Sequence, residues 1–206
     1  MELCAVSLDL DAVLGQVDAK IPLFVLGHSA GGLVLLDYLL TNKTKNNPTS
    51  FKGVVISSPF LTPANRIPTY KIVASRILAW FVPFLPIPAD EEVTAEVLTH
   101  DKQKIKEHHE DTLLLQNATV GWGYGVLSTQ AKVLSKGKDI PLPVLFAYAG
   151  ADMVADPATN KKFAAEIVSP DLTVEERKEK YHEILNEDDR TEVFALMSSW
   201  ILERAK

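Results

Sequence analysis

Residues 23–33 have the sequence Leu-Phe-Val-Leu-Gly-His-Ser-Ala-Gly-Gly-Leu, an apolar run followed by a glycine-flanked serine. The continuous apolar run at 23–26 predicts a strand buried on both faces. After Gly32, leucines recur at 33, 36 and 40, which is the spacing of one helix face. The stretch therefore predicts a strand, a sharp turn and a helix, with Ser29 at the tip of the turn.

The residues around Ser29 fit the pattern G-x-S-x-G in the strand-to-helix context that a serine nucleophile needs. Such a turn is strained, and we expect side chains at Gly27 and Gly31 to collide. The backbone N–H of Ala30 would begin the helix, where unpaired donors favour a developing oxyanion. The alternatives are a phosphate-binding glycine-rich loop or a plain strand-to-helix turn, but no lysine follows to make a Walker loop.

A serine nucleophile needs a base, and the base needs an orienting carboxylate. Asp152 comes just after the apolar run at 144–149, separated from it by Gly150 and Ala151, and is therefore predicted just past the end of a strand, where it would serve as the acid. Its rival Asp156 precedes Pro157, which is typical of a helix N-cap.

Of the five histidines, His182 alone follows both aspartates, in the chain order Ser-Asp-His. We therefore predict His182 as the general base, the alternative being a surface histidine. His28, beside Ser29, is expected to face away from the serine hydroxyl. His100, His108 and His109 lie in a charged run that is typical of a solvated helix face.

Three buried strands, at 23–26, 54–56 and 144–149, alternate with helical patterns, which predicts an α/β fold with a mostly parallel sheet flanked by helices. Helical stripes follow Pro157 and fill the C-terminal stretch, with Val193, Met197 and Trp200 on one face. We expect a single domain over residues 1–206.

A proline-punctuated apolar segment and a charged run separate the second and third strands, and we predict an inserted helical cap over residues 60–139. Its most apolar part, 72–88, is shorter than the ~20 residues of a spanning helix and contains three prolines. The apolar side chains of this part would line an acyl funnel, lie in a membrane interface, or pack on the sheet. They are Ile72, Ile77, Leu78, Trp80, Phe81, Phe84, Leu85 and Ile87.

Composition limits the classes of function. The chain has 206 residues, a net charge of −6 and one cysteine, Cys4. The negative charge argues against nucleic acid as a partner, and a lone cysteine excludes an intrachain disulfide or a cysteine-based metal cluster. The first 15 residues lack a basic region and contain Asp9, so they predict an amphipathic helix rather than a signal peptide. We expect a cytoplasmic protein, peripheral at membranes through the cap, with no metal and no cofactor.

Four motifs resemble the α/β-hydrolases of the monoacylglycerol lipase and lysophospholipase branch, which is related to serine aminopeptidases. They are LGHSAGG around Ser29, GVVISSP at 53–59, AGADMVADP around Asp152 and YHEILNE around His182. The resemblance implies an α/β-hydrolase fold with Ser29 as nucleophile, Asp152 as acid and His182 as base. It also implies a strand at 173–178, although the charge of that segment favours a helix.

The resemblance also predicts a departure at the N-terminal side. Family members carry further strands there, with a His-Gly motif whose loop donates a second oxyanion N–H, and this sequence contains no such motif. We therefore expect an N-terminally truncated fold in which the strand at 23–26 is an exposed edge.

The resemblance and the apolar cap favour a serine hydrolase that cleaves carboxylic esters of lipid-like substrates, monoacylglycerol or lysophospholipid. Two alternatives stay open. One is a catalytically impaired fragment or splice form that needs the missing strands or a partner. The other is an aminopeptidase or thioesterase of the same fold.

Overall fold

The structure, a computed structural model, describes residues 9–10, 12–18, 20–41, 51–88, 93–115, 117–136 and 138–206. Cys4 lies outside these ranges. Residues 9–10 and 12–14 are helical, in agreement with the helix predicted for the N-terminal stretch. The strands are β1 (Leu23–His28), β2 (Phe51–Ser57), β3 (Pro86–Pro88), β4 (Asn117–Thr119), β5 (Val144–Ala149) and β6 (Leu172–Arg177). The further helices are α1 (Ala30–Thr41), α2 (Thr69–Phe81), α3 (Ala95–Leu98), α4 (Lys102–Glu110), α5 (Val120–Ser135), α6 (Pro157–Glu166) and α7 (Arg190–Arg204).

Four strands form a parallel sheet in the order β1-β2-β5-β6. The three strands predicted from apolar runs are confirmed. β6 confirms the strand that the resemblance implied, and the helix favoured by its charge is wrong. Five of the six residues of β6 are only half-buried, so an edge position accommodates charged side chains that a central strand would exclude.

Helices cover both faces of the sheet, which confirms the predicted α/β class. On one face, Leu36 of α1, Val133 of α5 and Phe163 of α6 pack in one cluster with Phe146 of β5. On the other face, Trp200 of α7 packs with alternate residues such as Leu145. Successive residues of β5 point to opposite faces of the sheet. Because helices cover both faces, every position of this strand is buried and its sequence is continuously apolar.

β1 differs from its prediction. It was expected to be buried on both faces, but its residues 23–25 are only partly buried and Leu26 is 48% exposed. The reason is its place at the end of the sheet, where β2 is its one partner within the described residues. The exposed edge expected at 23–26 is therefore present.

The long connection from β2 to β5 contains α2 to α5 and the antiparallel pair of β3 and β4. Its two ends differ in burial. α5 packs on α1 and contributes Val126 and Val133 to the core, whereas α2 packs on α5 and buries no residue.

Candidate active site

Ser29 lies in the tight turn between β1 and α1, and its φ of 52° is in the left-handed region. Its N–H donates to the carbonyl of Ser57 at 3.0 Å, and its own carbonyl accepts from Leu33 and Phe60. Gly27 is required by close approach, because a Cβ there would lie 2.8 Å from the carbonyl oxygen of Gly31. These contacts hold the serine in a conformation that is costly for a residue with a side chain.

Gly31 does not meet the expected collision. A Cβ at Gly31 would have no heavy atom within 4 Å among the described residues. The crowded position is the next one, since a Cβ at Gly32 would lie 3.0 Å from Pro59 Cβ. The first turn of α1 directs Gly32 toward Pro59 and leaves Gly31 on the exposed side.

The three residues predicted to carry the chemistry lie in one hydrogen-bonded series. His182 Nε2 is 2.7 Å from Ser29 Oγ, and His182 Nδ1 is 2.8 Å from Asp152 Oδ2. The residues come from the turn after β1, the loop after β5 and the loop after β6, at the carboxyl edge of the sheet. His182 is 3% exposed and Asp152 is 5% exposed, so water has little access to the bond between them.

Asp152 is held by its own loop. Its Oδ1 accepts from the backbone N–H groups of Val154 and Ala155, both at 2.8 Å, which leaves Oδ2 for His182. A carboxylate only accepts, so Nδ1 of His182 carries the proton and neutral Nε2 accepts from the serine.

Gly150 was not singled out from the sequence, yet a Cβ there would lie 2.6 Å from the carbonyl of Lys178. Its place between the end of β5 and Asp152 was the available signal.

The rival carboxylate has the alternative role predicted for it. Asp156 is the N-cap of α6, and it accepts from the N–H groups of Ala158 and Thr159 at 3.2 and 3.0 Å. Pro157 occupies the first turn of that helix.

His28 bonds away from the serine. Its Nδ1 lies 3.1 Å from Ser57 Oγ, and its ring centroid is 5.1 Å from that of His182. Burial, followed by the neighbouring His182, lowers the pKa of His28 below its ordinary value of 6.5. His28 is therefore a neutral neighbour of the predicted base at neutral pH.

His100 is exposed, as expected, with 40% of its side chain accessible, but it is not on a helix face and it has a buried partner. This residue precedes α4, and its Nδ1 lies 2.9 Å from Oε1 of Glu187, a residue that is 0% exposed. His109 does lie at the surface of α4, where it bonds Glu96 at 2.8 Å. Glu187 was quoted within a motif but not recognised as a partner, because the sequence does not show which residue a distant carboxylate meets.

Ala30 is the first residue of α1, so its N–H has no acceptor within the helix and is available to an oxyanion. Within the described ranges, no group of three or more histidine, cysteine and acidic side chains is arranged to hold a metal ion. In the same part of the chain, no helix combines the length and apolar character needed to cross a membrane.

Comparison with known proteins places this geometry in a family. The family model "Serine aminopeptidase, S33" matches residues 5–189. Phospholipase YtpA of Bacillus subtilis is 29% identical over 175 residues, covering 84% of this chain and 65% of the relative. Human monoglyceride lipase is 26% identical over 203 residues, covering 93% of this chain and 64% of the relative. The chain thus spans less than two thirds of the length of these relatives.

Among solved structures, the monoacylglycerol lipase of Paleococcus ferrophilus superposes with a TM-score of 0.87 at 23% identity. The alignment covers 99% of this chain and 76% of that one. Fold and family model agree: the chain belongs to the serine aminopeptidase S33 family of α/β-hydrolases, the group that contains monoacylglycerol lipase-like enzymes.

Proposed function

We propose that the chain is a serine ester hydrolase in which Ser29 is the nucleophile, His182 the general base and Asp152 the acid that orients the base. The observation that carries the proposal is the hydrogen-bonded series of these three side chains, with distances of 2.7 and 2.8 Å. A serine hydroxyl in contact with an imidazole that is itself bonded to a buried carboxylate is the arrangement that activates serine.

The steps follow from the geometry. Ser29 Oγ attacks the ester carbonyl while Nε2 of His182 takes its proton, and the N–H of Ala30 stabilises the oxyanion. His182 then returns the proton to the departing alcohol, which leaves an acyl group on Ser29. Water, deprotonated by the same Nε2, releases the acid and regenerates the serine. Asp152 keeps the proton on Nδ1 and stabilises the imidazolium that forms.

The substrate class we propose is a lipid-like carboxylic ester, a monoacylglycerol or lysophospholipid. Relatives named as lipases and a phospholipase support this class. A cavity of about 540 Å³ has apolar walls at Ile67, Ile72, Leu127 and Leu134, but Arg66, Gln130 and Asp156 also line it, and Ser29, Asp152 and His182 do not. The lining of this cavity includes Thr62. Thr62 lies two residues after Phe60, whose backbone N–H donates to the carbonyl of Ser29.

We further propose that residues 60–139 act as a cap, in which α5 is fixed to the core and α2 with the loop after it touches a membrane surface. Exposed apolar side chains support this: Trp80 is 84% exposed, Phe84 80% and Phe81 74%. Each of the eight side chains in the predicted set is at least 37% exposed, which favours a membrane interface over packing on the sheet. Apolar surface of this kind is typical of segments that lie in a bilayer interface.

The test is covalent labelling followed by turnover. Separate samples of the purified protein and of its Ser29→Ala variant are incubated with a fluorophosphonate probe and, without the probe, with a monoacylglycerol, an aminoacyl amide or an acyl thioester. We expect labelling and monoacylglycerol hydrolysis that both depend on Ser29. Absence of labelling would refute the proposed nucleophile. Labelling without ester turnover would favour the impaired-fragment alternative, and preferred cleavage of the amide or thioester would replace the substrate class.

A further inference from the structure

His182 lies in a loop between β6 and α7, and the flanking residues Tyr181 and Glu183 are in no helix or strand. A side chain on such a loop keeps its place only if the loop is tied down. The loop ends near Glu187, whose carboxylate is completely buried. Burial of a carboxylate is costly unless its oxygens accept hydrogen bonds, so its partners indicate what it organises.

Glu187 accepts hydrogen bonds from the His182 loop and from the connection between β2 and β5. Its Oε1 accepts from the backbone N–H of Tyr181 at 2.7 Å and from Nδ1 of His100 at 2.9 Å. Its Oε2 accepts from the backbone N–H of His100 at 3.1 Å. The rings of His100 and Tyr181 stack with centroids 3.7 Å apart. One buried carboxylate therefore joins the residue before His182 to the connection between β2 and β5.

The residue after His182 is tied to the same place. The N–H of Glu183 donates to the carbonyl of Leu98 at 2.8 Å, and Thr99 Oγ1 donates to the carbonyl of Asn186 at 2.9 Å. We call residues Leu98–His100 the anchor segment. The anchor segment thus bonds the His182 loop on both sides of the imidazole.

We propose that Glu187 and His100 are positioning residues for His182: they hold its loop on the anchor segment so that its ring reaches Ser29 and Asp152 together. The catalytic consequence rests on the proposed function, whereas the placement of the ring does not. A displacement of about 1 Å at a reacting group lowers a rate by about 10²-fold, so the holding contacts are expected to matter for rate. Neither residue touches the serine.

The variants separate positioning from general stability. Glu187→Ala leaves the Tyr181 N–H and the His100 ring without their acceptor, whereas Glu187→Gln retains an acceptor oxygen. His100→Ala removes the ring donor, and His100→Asn retains a donor near the position of Nδ1.

Asp188→Asn is the matched control, because this adjacent carboxylate is 64% exposed and pairs with Lys180 at the surface. Val133→Ala, in the core on α5, gives a comparison of lowered thermal stability.

The rate constant of fluorophosphonate labelling is the first measurement. We expect it to fall about 10- to 100-fold in Glu187→Ala and His100→Ala. We expect Glu187→Gln and His100→Asn to recover at least part of it, and Asp188→Asn and Val133→Ala to leave it unchanged. Losses in the alanine variants no larger than that of Val133→Ala at equal melting temperature would overturn the positioning role.

The second measurement needs no activity. A proton on Nδ1 of His182 that is shared with the buried carboxylate of Asp152 is expected to resonate far downfield in proton NMR. We expect this resonance in the unmodified chain and in Asp188→Asn, and its loss from folded Glu187→Ala. Persistence of the resonance in Glu187→Ala overturns the proposal. If no protein is labelled but the resonance still depends on Glu187, the proposed hydrolysis fails and the positioning role stands.

Discussion

The backbone N–H of Phe60 donates a hydrogen bond of 3.0 Å to the carbonyl oxygen of Ser29. The serine is thereby held by the segment after β2 on its carbonyl side and by Ser57 on its amide side. A non-glycine residue at positive φ is strained by about 1–3 kcal/mol and persists only where its surroundings determine it. The turn at Ser29 is therefore imposed by tertiary contacts as well as by its glycines.

The two glycines that flank Ser29 are predicted to respond differently to alanine. Gly27→Ala places a Cβ 2.8 Å from a backbone oxygen, so we expect the free energy of unfolding to fall by about 1–3 kcal/mol. Gly31→Ala meets open space in a helix, so we expect no change or a rise of about 0.5 kcal/mol. Urea denaturation of the two variants checks this pair. Equal losses in both would contradict the geometry described for α1.

Substitution of the two aspartates after β5, Asp152 and Asp156, should affect activity to different extents. In Asp152→Asn, the amide oxygen still accepts from the loop N–H groups while the amide nitrogen faces His182. This favours the wrong imidazole tautomer, and we expect kcat to fall about 10⁴-fold. Asp156→Asn retains an N-cap side chain with one acceptor oxygen in place of two, so activity should stay near the original value and stability should fall by no more than about 1 kcal/mol. Turnover and thermal melts of the two variants are the measurements. A large loss of kcat in Asp156→Asn would reverse the assignment.

His28 predicts a dependence of stability on pH. Folding lowers its pKa below 6.5, so the unfolded chain binds this proton more readily than the folded chain. The contribution of His28 to the free energy of unfolding should therefore fall as the pH drops through 6.5 toward the lowered value, and this contribution should change no further below it.

His28→Asn removes this contribution, so its stability should vary less between about pH 7.5 and about pH 5.5 than that of the unmodified chain. Urea midpoints across this range provide the comparison. If the urea midpoints of the two proteins changed with pH in parallel, the pKa of His28 would be the same in the folded and unfolded chains, which would contradict this prediction.

The exposed aromatics of α2 and the following loop predict binding to lipid vesicles. Trp80→Ser with Phe84→Ser should weaken partitioning onto phosphatidylcholine vesicles by 10-fold or more, because each large apolar side chain contributes about 1.5–3 kcal/mol on burial. Phe194→Ser, on α7 and 46% exposed, is the control and should leave binding unchanged. Cosedimentation measures both. Equal binding of all variants to vesicles would contradict the proposal that the cap touches a membrane surface.

Where the sequence was misleading, the neighbours of an element decided its form. The segment at 172–177 carries charged residues that favour a helix, yet it pairs with β5 at the edge of the sheet. The apolar run of β1 indicated burial on both faces, yet Leu26 is exposed because of its edge position in the described sheet. The charge or apolarity of a segment indicates only how buried such residues usually are. The actual burial of the segment depends on which distant elements pack against it.

Local sequence patterns were enough to predict the features that depend on neighbouring residues: the strand, turn and helix around Ser29, the N-cap at Asp156, and the chain order of serine, aspartate and histidine. The 2.7 Å contact of His182 with Ser29 across 153 positions, and the hydrogen bonds between Glu187 and His100, depend on how the chain packs. Local patterns follow from short-range sterics and hydrogen bonds. Which distant side chains meet follows from the register of strands and the packing of helices, which no local pattern contains.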